Sequence, residues 1–132
     1  MRRLAYLLLM AVAATALSSC SPTESKEKVV ATTAKIYYDY LLDGRYDDFV
    51  AGIDQHIPLS ESYREQLCAN AKMFVNQQKE LHQGISRIEI SDAEVDADAH
   101  AANAFLVFCY ADSTTEQVVV PMVERDGVWL MR

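Results

Sequence analysis

From Val29 onward the apolar positions first recur every three or four residues and then, past Gly84, every second residue. The first regime predicts helices and the second predicts strands. Val30, Ala34, Tyr37 and Leu41 fall on one face of a first helix, and Gly44 is placed to end it. Tyr46, Phe49, Val50 and Ile53 predict a short second amphipathic helix. Pro58 interrupts. A long third helix then starts at Ser60 or Ser62, with Ser62 and Glu65 at capping-box spacing. Its expected apolar face is Tyr63, Leu67, Ala71, Phe74 and Leu81, and Gly84 closes it.

Four strands follow. Ile88, Ile90 and Val95 mark the first, and Asp96-Ala97-Asp98 suits a turn. Ala104 to Tyr110 is almost wholly apolar, as expected of a central strand buried on both faces. Ala111-Asp112-Ser113 turns the chain into a third strand, Gln117 to Val123. Asp126-Gly127 is a hairpin signal before a short last strand, Val128 to Met131. Helices followed by a strand meander predict an α+β domain, with the N-terminal helices packed on a curled, antiparallel, four-stranded sheet. Pro121 conflicts with a regular third strand because it has no ladder donor. It marks either a bulge or a nitrogen that faces no neighbour.

The N-terminus has a different pattern. Met1-Arg2-Arg3 is positive, and Leu4 to Leu17 is a run of 14 uncharged residues. A membrane-spanning helix needs about 20 apolar residues, so this run suits the core of a secretory signal instead. It ends in Leu17-Ser18-Ser19-Cys20, which resembles the lipobox of bacterial lipoproteins. That resemblance implies a signal peptide over residues 1–19, cleavage before Cys20 and acylation of Cys20. The implied location is the bacterial cell envelope, on the periplasmic face or at the cell surface. Residues 20–28 then form a lipidated, polar tether, and the domain spans 29–132.

Removing the signal leaves 10 basic residues against 19 acidic ones, a formal charge of −9. No basic stripe exists for nucleic acid. An acidic surface is not drawn to anionic lipid either, so the membrane partner is reached through the acyl chains on Cys20.

The chemistry-bearing residues are sparse. His56, His82 and His100 have no metal-ligand spacing. Asp92, Glu94, Asp96 and Asp98 alternate along the first strand and its turn, without the glycine and bidentate glutamate of a calcium loop. Cys68 and Cys109 are either two buried thiols or, in an oxidising envelope, a disulfide. Ala104 to Tyr110 holds no carboxylate or imidazole, which argues against a proton-transfer enzyme. No catalytic residue, metal site or cofactor is nominated.

Three segments carry a further resemblance: Tyr40-Leu41-Leu42-Asp43-Gly44-Arg45-Tyr46-Asp47-Asp48-Phe49, Gly84-Ile85 with Ile88-Glu89-Ile90, and Val123-Glu124-Arg125-Asp126-Gly127-Val128-Trp129. With the order of elements, they resemble the nuclear-transport-factor-two-like (cystatin-like) cone, and more narrowly small bacterial lipoproteins with a domain of unknown function. The implied fold hosts enzymes, adaptors and scaffolds alike. Three functions stay open: a non-enzymatic binding or protein-interaction module for a protein segment or a small apolar ligand, a cone-fold isomerase or hydrolase acting on a small apolar substrate, and a structural envelope component with no small-molecule site. The expected liners of the concave sheet face are Phe105, Val107, Val119 and Trp129, with Trp129 either plugging the core or lining the mouth.

Overall fold

The computed structural model describes residues 23–132. The signal segment, the lipobox and Cys20 lie outside them. Helix α1 runs Lys26–Leu42, α2 Tyr46–Ala51 and α3 Glu61–His82. Strands β1 (Ile85–Asp96), β2 (Ala101–Tyr110), β3 (Thr115–Arg125) and β4 (Val128–Met131) follow. They form one open antiparallel sheet in the order β1-β2-β3-β4. The α+β meander expected from the periodicity is the fold observed.

Local chemistry explains the boundaries. Ser25 caps α1, its hydroxyl accepting from the Lys28 N–H at 3.2 Å. The helix therefore begins at Lys26, inside the stretch expected to be tether. Gly44, at φ 75°, turns the chain into α2. Ser60, rather than Ser62, caps α3 by accepting from the Tyr63 N–H. At the other end Gln83 takes the left-handed conformation before Gly84 does the same.

All three helices lie on one face of the sheet. The core joins Val30, Ala31 and Ala34 of α1 to Ala93, Ala102 and Ala104 of the sheet, along with Ile88, Leu106, Phe108, Val120, Met122, Trp129 and Met131. Small side chains on both surfaces let the helix and sheet approach closely. Large rings dominate elsewhere: Tyr38, Phe49, Phe74 and Phe108 meet edge-on or tilted, with centroids 5.4–6.5 Å apart. Small residues thus pack one part of the layer and aromatic ones the other.

Helix α3 departs from its expected face. Tyr63 and Leu81 are 52% and 63% exposed, and the buried positions are Ala71 and Gln78. Strand β2 alternates: its even residues from Ala102 to Tyr110 are buried under the helices, while Phe105 and Val107 are only half-buried on the outer face. The β2–β3 register passes Pro121 without a shift, so no bulge accommodates it. The Pro121 carbonyl accepts from Arg132 N at 2.9 Å. In an antiparallel strand a residue's N and C=O point the same way. The proline nitrogen therefore faces the side of β4, at the point where that strand ends.

Candidate functional site

A cavity of about 420 Å³ lies between the helices and the wide end of the sheet. Tyr38 and Leu41 of α1, Phe49 of α2, and Ala71, Phe74 and Gln78 of α3 form its helical wall; Phe108, Tyr110, Glu116 and Val118 form its sheet wall. Leu41 and Phe108 are buried, and Glu116 is exposed at the mouth. A second depression of about 560 Å³, beside the α1–α2 turn, is lined by Asp43, Lys79, Gln83 and two glycines, with Tyr46 as its one aromatic.

The polar groups of the first cavity are few and ordered. Antiparallel register sets Glu116 opposite Phe108, on the face toward the helices. Its carboxylate accepts from the Tyr110 hydroxyl at 2.5 Å. Burial, then the bond to Glu116, raises the Tyr110 phenol far above its ordinary value, so it stays a donor. His82 stacks on the Tyr110 ring, with centroids 4.1 Å apart, and its Nδ1 is 3.0 Å from Asp112 Oδ2. Asp112 is held below the usual carboxylate range by the Thr114 hydroxyl and N–H, and then by His82. Burial also raises the Tyr38 phenol. Gln78 is 8% exposed, one helical turn before His82. It lines the cavity, and because no described side-chain polar atom is both buried and unbonded, its amide, which makes no bond within the protein, is open to the cavity's solvent.

No protein-family model and no curated protein matches the chain. Among solved structures, it is similar to a Campylobacter jejuni protein named an NTF2-like transpeptidase. That match has a TM-score of 0.61 at 15% identity, and it covers 76% of this chain and 94% of the other. The chain has an NTF2-like fold. Identity this low establishes the fold and nothing about activity.

The NTF2-like cone separates the four residues expected to line one face. Phe105, Val107 and Val119 lie together on the outer face, away from the helices, with Val119 51% exposed. Only Trp129 points inward, with Met131, and it is buried in the core rather than lining the cavity. The expectation failed because strand alternation defines two faces without saying which one the helices cover. Cys68 and Cys109 are both free. Cys68 sits on α3, 3.4 Å from the Asp47 carboxylate, and Cys109 is on the outer side of β2, so the sheet separates the thiols. Asp92, Glu94 and Asp96 share the outer side of β1, exposed, as their spacing suggested. His56 lies near Asp54, and His100 near Glu124.

Glu116, Tyr110 and Gln78 were not singled out by the sequence. Parity would have found Glu116: the inner positions of β2 end at Tyr110, and a short turn places Glu116 back on the same face. Nothing in the sequence marks Gln78, because its burial depends on how α3 is rotated about its axis.

Proposed function

We propose that this protein is a membrane-tethered binding module, anchored through acylated Cys20 in the bacterial envelope, whose cone cavity holds a small, largely apolar molecule. The cavity itself carries this reading: a preformed, aromatic-lined space with few polar groups, of the size that ligand sites use. Residues 24–28 start as a polar segment and merge into α1, which leaves little slack between a lipid at Cys20 and the domain. Among the described residues no helix is long and apolar enough to cross a membrane.

One observation favours an enzyme instead, a cone-fold isomerase or hydrolase for a small apolar substrate: a carboxylate and a phenol meet at the cavity, Glu116 with Tyr110. Proton abstraction is helped when the base stands in a dry interior. Glu116 stands at the exposed mouth and Tyr110 is locked as a donor, which supports binding over catalysis.

The test is photolabelling of the full lipidated chain in maltoside micelles with a diazirine-bearing alkylbenzene. Labels are expected on Ala71, Phe74 and Phe108. Ala71→Phe, which fills the cavity, should abolish them. Labelling confined to the outer-face residues Phe105, Val107 and Val119 would overturn the cavity reading.

A further inference from the structure

The cavity's described lining carries one negative charge and no positive one. Among the described residues the lining contains a carboxylate, an amide and two phenols, but no lysine or arginine. Tyr110 occupies one acceptor site of the Glu116 carboxylate, which offers about four. Glu116 Oε1 has no partner among the described residues. Gln78 is more than nine-tenths buried as a residue, and its side chain lines the space. No described side-chain polar atom is both buried and unbonded, so the Gln78 amide opens onto the cavity, where a polar group arriving from outside can bond it. Rings of Tyr38, Phe49, Phe74, Phe108 and Tyr110 surround it. Their faces carry negative quadrupole potential, which attracts cations. A net charge of −9 on the chain without its signal segment adds a long-range pull of the same sign.

We infer that the ligand is a cationic amphiphile: an apolar body seated against Leu41, Ala71 and Phe108, with an ammonium head at the mouth between Glu116 and Gln78. This rests on the cavity reading above and adds the head-group chemistry to it. A protonated amine donates to the free Glu116 oxygen and to the Gln78 carbonyl while lying against aromatic faces. The head remains near solvent at the exposed Glu116, so its desolvation cost is limited. A carboxylate head would meet Glu116 as a like charge. An alcohol could bond the same groups but would lose the attraction between opposite charges.

The experiment uses three probes with one apolar body: phenylbutylamine, phenylbutanol and phenylbutyrate. Each is titrated into the full lipidated chain in non-ionic maltoside micelles, where the chain's methyl NMR signals report binding at the site regardless of probe lost to the micelle. The Ala71 and Val118 methyl signals report the cavity, and Ala99 serves as an outside control. The amine is expected to bind about tenfold more tightly than the alcohol, the ratio that about 1.4 kcal/mol of ion pairing gives. Phenylbutyrate should bind most weakly. Glu116→Gln keeps an acceptor for Tyr110, so it preserves the fold. It should bring the amine-to-alcohol ratio near one. An amine no better than the alcohol, or a preference that survives Glu116→Gln, overturns the inference while leaving the cavity reading intact. If no probe moves the Ala71 and Val118 signals, the cavity reading itself fails.

Discussion

The Tyr37 hydroxyl donates to the backbone carbonyl of Trp129 at 2.8 Å, tying the first helix to the last strand. The same ring lies against Gly52, where an added Cβ would overlap it. The corner is completed by Met131, whose N–H donates to Gly52 O and whose carbonyl accepts from Asp54 N, both at 2.7 Å. Tyr37→Phe should cost about 1 kcal/mol, the worth of one hydrogen bond with its acceptor left behind. Gly52→Ala should cost roughly 1–3 kcal/mol by overpacking. Denaturant melts of both variants check the ranking, and a neutral Gly52→Ala would show that the ring can move aside.

Trp129 is buried beneath the helices with Met122 and Met131. Trp129→Ala should destabilise the domain by about 3–5 kcal/mol, a large part of the stability of a chain this size. Its fluorescence should be blue-shifted and resistant to acrylamide. Free quenching together with a folded alanine variant would show that the indole is not part of the core.

The β3–β4 hairpin turns through two residues, Asp126 at φ 51° and Gly127 at φ 80°. Positive φ at both positions matches the twist of the flanking strands. A Cβ at Gly127 would touch nothing, so only the backbone conformation is at stake. Gly127→Val should cost at least about 1 kcal/mol in a denaturant melt.

Two groups near the cavity set opposite pH limits. Asp112 is held low by Thr114 and His82, so its contribution is present above the ordinary carboxylate range, near pH 4. It is lost as pH falls through the lower folded value. Tyr110 is held high by burial and by Glu116. Its contribution is complete below about pH 10 and is lost as pH rises from there through the folded value. Asp112→Asn should flatten the acid limb of a stability-versus-pH curve, and Tyr110→Phe the alkaline limb. Unchanged limbs would mean that these contacts are not kept in solution.

For the anchor, Cys20→Ala should block incorporation of labelled palmitate and leave an unprocessed precursor. A variant that matures to the same size and still partitions with membranes would rule out lipidation at this position.

Much of the fold was legible because its determinants are local. The switch in apolar period after Gly84 separates helices from strands, Ser60 and Gly44 mark helix limits, and Asp126-Gly127 fixes the last turn. The site was less legible because it depends on relations between elements. Phe105, Val107 and Val119 are as apolar as the inner residues of their strands, and only the position of the helices makes their face the outer one. Glu116 becomes a cavity residue through its register with Phe108. Gln78 replaces Tyr63 and Leu81 as a buried position because α3 meets the rest of the domain along a narrow line, not along its whole apolar stripe.

That narrow line bears on how the domain breathes. Helix α1 is clamped by Val30, Ala31, Ala34 and Leu41, whereas α3, 22 residues long, buries only Ala71 and Gln78. Local opening follows the elements with the least buried contact. Amides of α3 should therefore exchange with deuterium well before those of α1 and β2. The compliance lies in the wall that carries Phe74 and Gln78, so the cavity should widen by tilting one helix while the packed sheet stays rigid.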